Sequence, residues 1–240
     1  MKIRIIIIAS AFVLPSCSKG QFDLGKINKE IDKTFNTKSL SSQDVIDGLK
    51  QALTIGGQNA STAASKADGY FKNPLIKIPF PSEAKEMENK LRSLGMNKEV
   101  DDFVLTINRA AEEAAKEAAP IFTNAIKSMT ITDGMNILKG NDTAATNYLK
   151  QKTSLSLHDK FKPVILSATQ KVKVTEYWNP LVSTYNKIPF VKRLNPDLEE
   201  YITQKSLTGL FYLISEEEIK IRKNPSARVT ELLKKVFGNK

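Results

Sequence analysis

The sequence is poor in the residue types that most often carry chemistry or stabilise small exported domains. Its 240 residues include one cysteine, one histidine and one tryptophan. A single cysteine excludes a disulfide within the chain, and a zinc site of the usual kind needs several Cys or His ligands. His158 has no second histidine beside it, so we expect it to be an ordinary surface or core residue rather than a catalytic group. We therefore predict no metal and no cofactor.

Long apolar runs and alternating patterns are missing as well. The longest apolar run, Ile5 to Leu14, covers about half of the roughly 20 residues that a transmembrane helix needs. No segment alternates apolar and polar residues for long enough to indicate a β-strand. Apolar residues recur instead at intervals of three and four, the spacing of a helix that packs on one face. The predicted fold class is therefore all-α, a multi-helix bundle.

The N-terminus has the layout of a secretory signal, with two basic residues, a short apolar run and small residues in that order. The tetrapeptide Leu14-Pro15-Ser16-Cys17 resembles a lipobox, the site at which a bacterial signal is removed before an acylated cysteine. We therefore predict a signal peptide at 1–16, lipidation of Cys17 and a lipid-anchored tether at 17–40. The alternative is a plain secretory signal followed by an incidental cysteine.

The residue after the cysteine and the overall charge suggest a location and a partner. Ser18 in that position, by resemblance to lipoproteins in general, favours an outer membrane lipoprotein facing the periplasm; surface exposure is the alternative. The formal net charge is +10, which attracts anionic lipid or an acidic envelope protein. Nucleic acid is not an expected partner outside the cytoplasm. Because no dense block of Lys and Arg occurs, a simple solvated basic surface is the competing interpretation.

Residues 41–238 are predicted to form a single all-α domain. Ser41 or Ser42 is expected to cap the first helix, which Gly56-Gly57 would kink. Three prolines make 70–81 a loop pinned by its aromatic and Ile side chains, and the aromatic, Pro-containing segment 177–190 gets the same interpretation.

The middle of the chain is predicted to hold short helices, and a long one follows. Thr132 is expected to cap one short helix, Asp142 begins another, and Ser154 or Ser156 caps a third. The helix from Asp197 to about residue 223 should be the longest. It is apolar on all sides, so we expect it to be buried in the middle of the fold.

An internal repeat is suggested by recurring motifs. Lys77-Ile78-Pro79-Phe80 recurs as Lys187-Ile188-Pro189-Phe190, and similar residues flank both copies in the same order. This pattern predicts two pseudo-repeated helical halves, about 41–131 and 132–238, joined by Pro-rich loops. Convergence of ordinary Pro-rich turns is the alternative.

The end of the long helix holds the main candidate for a ligand site. Glu218 falls on the face of the apolar stripe, and a carboxylate there must be paired, with Arg222 four residues later as the obvious partner. The competing interpretation, which we favour from the sequence, is that the helix has reached the surface and its glutamates are solvated. Further partner contacts are expected from three basic residues: Arg109, Lys223 and Arg228. We expect Arg109/Glu113 and Glu112/Lys116 to pair on the outside of a helix.

Several segments resemble one bacterial family, the domain-of-unknown-function 4197 family. The C-terminal matches are Lys205–Tyr212, Glu216–Arg222, Asn224–Arg228 and Leu232–Gly238; Asn73–Pro79, Asn108–Ala111 and Lys187–Lys192 fit as well. The resemblance covers roughly residues 40–238. It implies an exported helical protein and supplies no activity, cofactor or catalytic residue.

Two functions remain open from the sequence. The first is a lipid-anchored envelope protein with a non-enzymatic binding or scaffolding role. The alternative is an envelope hydrolase or other enzyme that uses Glu218 with Arg222, or His158. The absence of a recognisable nucleophile, base and acid argues against the enzyme without excluding it.

Overall fold

Helices make up nearly all of the regular structure in the computed structural model, which describes residues 41–171, 174–191, 197–228 and 234. The all-α class is confirmed, and these residues contain no strand. Cys17, the signal peptide and the tether lie outside the described residues. The α-helices, in chain order, are α1 (Ser42–Ser65), α2 (Lys85–Ser93), α3 (Asn97–Ala114), α4 (Ala118–Lys127), α5 (Ile131–Lys139), α6 (Ala144–Lys171), α7 (Val174–Asn186) and α8 (Leu198–Lys223). Among the described residues, no helix combines the length and the apolar character needed to cross a bilayer.

Helix α8 is buried along most of its length, as its apolar pattern predicts. It packs mainly against α6 and α1. Its buried side chains point in several directions around the helix, with Ile202, Leu207, Leu210 and Ile214 among them. The longest helix, however, is α6, with 28 residues against 26 in α8. Burial of apolar surface stabilises by about 25 cal/mol per Å², so α8 is the element around which the core forms.

The predicted division of residues 142–190 is wrong in two places. Helix α6 runs unbroken where separate short helices were expected, because the Thr153 and Ser154 hydroxyls donate to carbonyls one turn earlier in the same helix instead of capping a new one. The second aromatic segment is largely helical, since Trp178, Leu181 and Tyr185 recur at helical spacing and are buried. Pro180 lies inside that helix.

Local side chains cap the beginnings of α1 and α5. Ser41, one of the two predicted caps, caps α1 and exchanges hydrogen bonds with Asp44 in a capping box. Thr130, and not Thr132, caps α5 in the same way with Asp133. Gly95 takes a left-handed φ of 84° after α2, a conformation that glycine adopts at no steric cost.

The segment between α1 and α2, residues 66–81, is an ordered loop, which we call the connector. Its side chains Tyr70, Ile78 and Phe80 are buried, which confirms the predicted pinning. Phe80 and Trp178 both contact the Phe103 ring, at centroid distances of 5.1 and 4.8 Å. The connector is therefore part of the core rather than a surface linker.

The connector is also hydrogen bonded to α3 and α8. The amide of Asn108 accepts from the backbone N–H of Ile78 and donates to its carbonyl, both at 2.8 Å. The Tyr70 hydroxyl donates to the Ser206 carbonyl at 2.6 Å, and the Tyr201 hydroxyl donates to the Pro79 carbonyl at 3.1 Å. Buried backbone groups need such partners, since each unpaired one costs about 1–3 kcal/mol.

Gly209 allows close contact between α8 and the connector. A Cβ atom at this position would lie 2.8 Å from Cε1 of Tyr70 and 3.0 Å from Cβ of Ile76. Gly56 also lies inside a helix, but a Cβ there would lie 3.5 Å from Cβ of Glu217, an ordinary contact. The predicted kink at Gly56-Gly57 does not interrupt α1, which is continuous through both residues.

We expect opposite effects from Gly209→Ala and Gly56→Ala. Alanine raises helix propensity by about 1 kcal/mol at either site, but crowding at residue 209 costs about 1–3 kcal/mol. Gly209→Ala should therefore lower the free energy of unfolding and Gly56→Ala should raise it, both measurable by urea denaturation. Equal stabilisation by the two variants would show that Tyr70 and Ile76 can move away from α8.

The two copies of the Lys-Ile-Pro-Phe motif differ in structure. Phe80 is 5% exposed and belongs to the aromatic cluster, whereas Phe190 is fully exposed. The flanking Pro74 lies in a turn, while its counterpart Pro180 lies in α7. Duplication of a helical unit therefore stays a prediction.

Candidate functional site

The Glu218 side chain caps the N-terminus of α6. Its carboxylate accepts from the backbone N–H of Ala145 at 3.0 Å and from the N–H and hydroxyl of Thr146, both at 2.8 Å. The first N–H groups of a helix have no partner within the helix, and its dipole favours a negative charge there. A side chain more than 70 residues away in sequence thus caps α6.

Arg222 completes this cluster on the opposite side of the carboxylate. Its Nε and Nη2 atoms lie 2.9 and 2.8 Å from Oε1 of Glu218, and Nη2 also donates to the Ile137 carbonyl near the end of α5. The Glu218 and Arg222 side chains are 5% and 9% exposed. The expectation of a solvated Glu218 is wrong, because α6 covers this part of α8.

The cluster has no room for a ligand. The cavity beside Glu218 and Arg222 measures about 10 Å³, roughly the space of one water molecule. Every buried side-chain nitrogen and oxygen in the described residues has a hydrogen-bond partner. The arrangement therefore joins α5, α6 and α8, and it leaves no group directed at a substrate.

The other basic candidates at the end of α8 also bind within the chain. Arg228 donates from Nε to the Ile221 carbonyl and from Nη2 to the Arg222 carbonyl, so it closes the last turn of the helix. Lys223 forms an ion pair with Asp142 at 2.8 Å and is largely exposed. Of these, only Lys223 presents an accessible charge.

Arg109 belongs to a second charged cluster, on α3. Glu112 is buried, and its Oε1 accepts from the backbone N–H groups of Tyr70 and Phe71, while Arg109 donates to its Oε2 at 2.6 Å. Arg109 also donates to Asp68 at 2.6 Å. Hydrogen bonds from Lys72 and from Arg109 lower the pKa of the Asp68 carboxyl.

The predicted pairing on this face of α3 is wrong. The observed pairs are Arg109 with Glu112 and Lys116 with Glu113, each three residues apart. Glu112 turns inward because two backbone N–H groups of the connector need an acceptor, and this leaves Glu113 as the partner of Lys116.

A groove of about 770 Å³ runs beside this cluster. One wall, from α3 and the turn after it, carries charged side chains, and the facing wall from α6 is mostly apolar; residues 65 and 67 complete the lining. The charged residues are Arg109, Glu112, Glu113 and Lys116, and the α6 residues are Pro163, Val164, Ser167 and Ala168. Its volume falls in the range of ligand sites, and we take it as the candidate functional site.

His158 lies in a different cluster, between α6 and α8. Its Nε2 lies 3.0 Å from Glu200 and its Nδ1 lies 3.7 Å from Asp159. Ser154, one turn earlier in α6, donates its hydroxyl to the Lys150 carbonyl instead. The cluster borders a groove of about 490 Å³ but contains no serine hydroxyl bound to the imidazole, as nucleophilic catalysis needs.

The Glu200 carboxylate accepts three hydrogen bonds in this cluster. Lys162 and Gln204 donate at 2.8 Å, and His158 is the third donor. The hydrogen bonds from Lys162, Gln204 and His158 lower the pKa of Glu200 from 4.5 to about 2. A carboxylate with a lowered folded pKa stabilises the fold above its unfolded pKa, and this contribution is lost as pH falls through the folded value.

We therefore expect wild type and Glu200→Gln to differ in stability at pH 7 and to converge between pH 4.5 and 2. Because Glu200 is 34% exposed, the difference should be about 1 kcal/mol or less. Urea unfolding at pH 7, 4 and 2.5 measures it, with Glu199→Gln as a control for the loss of one negative charge. A difference that stays constant across this range would contradict the lowered pKa.

The described residues contain no cluster of three or more His, Cys, Asp or Glu side chains suited to a metal ion. Sequence reasoning found Arg109 and the Glu218–Arg222 pair. It missed the groove, since the three segments that line it lie far apart in the chain. It also missed the roles of Asn108 and Glu112, for which the only sequence signal is a polar side chain on the inner face of α3.

These features define a class of protein: an all-α bundle whose buried charges hold helix ends and a core loop, with an open groove on its surface. The chain belongs to the family described as "Protein of unknown function (DUF4197)", which matches residues 39–238 and so confirms the resemblance seen in the sequence. Comparison with curated proteins gives no match, and comparison with solved structures gives none.

Proposed function

We propose that this chain is a non-enzymatic binding or scaffolding protein, anchored through Cys17 to an envelope membrane, the outer membrane facing the periplasm being the favoured site. The observation that carries the binding role is the groove of about 770 Å³ between α3 and α6. Its one charged and one apolar wall suit an amphipathic ligand or partner segment.

The use of the charged residues within the fold supports this proposal over the hydrolase alternative. Glu218 and Arg222 are buried in a cluster with space for about one water molecule. Glu200 and Lys162 hold the His158 cluster between two helices. The first cluster lacks the open space that a hydrolytic reaction needs, and the second borders a groove but has no nucleophile bound to its imidazole among the described residues.

The tether gives the domain its reach from the membrane. Residues 18–40 would span up to about 80 Å if fully extended, which lets the groove meet partners well away from the bilayer or close to it. Incorporation of labelled palmitate into the wild-type chain, and its loss in Cys17→Ser, tests the anchor. Equal labelling of both chains would refute lipidation at Cys17.

Native mass spectrometry of the lipidated protein, extracted from the envelope of its own host, tests the groove. Ser167→Trp places a large ring in the groove without entering the core, since Ser167 is exposed. Leu166→Trp is the matched control, because Leu166 is also exposed on α6 but does not line the groove. We expect a discrete bound mass on wild type and Leu166→Trp that is lost from Ser167→Trp.

The two contrary results are distinct. A bound mass retained by Ser167→Trp would place the ligand elsewhere on the protein. Clean apo masses for all three chains would argue against a tightly held small ligand, and the groove would then be examined as a protein-binding surface by crosslinking from residue 167.

A further inference from the structure

Phe190 is the most exposed apolar side chain among the described residues. Its relative accessibility is 108%, whereas the other exposed apolar residues range from 43% to 75%. Its φ of 64° places it in the left-handed region, which a bulky non-glycine residue rarely adopts. Such strained positions persist only where the surrounding structure enforces them, and they cluster at ligand contacts.

The residues next to Phe190 contact the rest of the domain. The N–H of Ile188 donates to the Tyr185 carbonyl at 2.9 Å and closes the turn after α7. Ile188 and Val191 are partly buried against the core on either side. Ile188 and Val191 therefore pack on the core on either side of Phe190, whose ring projects into solvent.

The same four residues have a buried arrangement elsewhere in this chain. In the connector, the motif Lys-Ile-Pro-Phe ends with Phe80 at 5% exposure, within 5.1 Å of the Phe103 ring. The motif by itself therefore does not force its phenylalanine outward. Exposure of Phe190 is a property of this site.

The amino-acid sequence on either side of Phe190 identifies the kind of surface it would meet. Residues 187–193 read Lys-Ile-Pro-Phe-Val-Lys-Arg, with three basic residues and no acid. Lys187 is exposed and has no ion pair in the described part of the chain. An aromatic residue flanked by basic ones is typical of segments that sit at the interface of an anionic bilayer, where the ring enters and the charges meet the headgroups.

We propose that the Phe190 loop (residues 187–191) is a second membrane contact, which docks on anionic lipid and orients the domain on the bilayer. The inference rests on the proposed lipid anchor, since a tethered domain meets the surface often. Burial of the Phe190 ring in the bilayer interface and attraction of the basic side chains to anionic headgroups act together, and neither needs a change in the fold.

Depth-dependent fluorescence quenching tests this contact. The lipidated chain carrying Phe190→Trp is reconstituted with vesicles of phosphatidylcholine containing about 30 mol% phosphatidylglycerol, with bromine on the acyl chains of the phosphatidylcholine. The native Trp178 is 6% exposed and gives a constant background, measured in wild type. Leu155→Trp is the matched control, because Leu155 is 75% exposed but lies on α6, outside the loop.

We expect the added emission of Trp at 190 to fall at least about twofold on brominated vesicles and that of Trp at 155 to stay unchanged. Neutral vesicles should reduce the effect. Flotation of the chain with vesicles is read in the same samples, and it reports the anchor independently.

Each contrary result has one meaning. A chain that floats while residue 190 is quenched no more than residue 155 keeps the anchor and overturns the second contact. Equal quenching of residue 190 on neutral and anionic vesicles overturns the assignment to anionic lipid. A chain that does not float overturns the proposed anchor, and with it this contact.

Discussion

Glu218→Ala is expected to lower the free energy of unfolding by about 3–5 kcal/mol, the usual cost of removing one partner from a buried ion pair. The substitution leaves the Arg222 guanidinium 91% buried without its carboxylate and frees the N–H groups of Ala145 and Thr146. Urea denaturation and thermal unfolding followed by circular dichroism measure the change, which for a chain of this size corresponds to roughly 10 °C in Tm.

Two further variants separate the causes. Glu216→Gln, two residues earlier in α8, removes a carboxylate that has no hydrogen bond or ion pair in the described structure, and it should change stability by less than about 0.5 kcal/mol. The double variant Glu218→Met with Arg222→Met removes the isolated charge but leaves the α6 N–H groups unpaired, so it should recover only part of the loss. A Glu218→Ala protein as stable as Glu216→Gln would show that Glu218 does not cap α6.

Asn108→Leu is expected to lower the free energy of unfolding by about 3 kcal/mol, although leucine has nearly the same size and is more apolar. The change removes both partners of the Ile78 backbone and leaves a buried N–H and a buried carbonyl unpaired, each at about 1–3 kcal/mol. The loss should appear in urea denaturation, and the Ile78 amide should exchange its hydrogen faster.

The control for this effect is Asn147→Leu, at an exposed position on α6. We expect a change of less than about 0.5 kcal/mol there. If Asn108→Leu unfolds at the wild-type urea concentration and Ile78 stays protected, packing of the connector would be sufficient and its hydrogen bonds to α3 would be dispensable.

These results would bear on function as well as on stability. Glu218, Arg222, Arg228 and Glu112 bind within the protein, so their replacement should unfold or loosen the bundle before it affects any partner. Ser167 in the groove and Phe190 in its loop are exposed, so their replacement should leave the fold intact. Variants of the second kind are therefore the ones that report on binding.

Several parts of the fold followed from local sequence. The Ser41 cap and the apolar surface of α8 depend on neighbours within a few residues, or on spacing along one helix. The extended connector followed from its three prolines, which exclude a helix interior. Such features depend on short-range sterics and hydrogen bonds, which residue type and order determine.

The continuous α6 and the helical α7 did not follow, for an identifiable reason. Serine and threonine are unfavourable inside helices because their hydroxyls compete for backbone groups. In this fold the hydroxyls of Thr153 and Ser154 donate to carbonyls of their own helix, which packs against α8. Pro180 likewise signals a break, yet burial of Trp178 and Leu181 favours a helix there. Tertiary packing outweighed the local preference in both segments.

By itself, the sequence determined the all-α class, the family and the cap of α1 at Ser41. Only the tertiary structure decided what the polar residues do. Glu218, Asn108 and Glu112 each bind backbone groups 30 to 73 residues away, because burial leaves those groups no water to bind. The groove likewise depends on the tertiary structure, because the segments that line it are distant in sequence and come together only in the folded bundle.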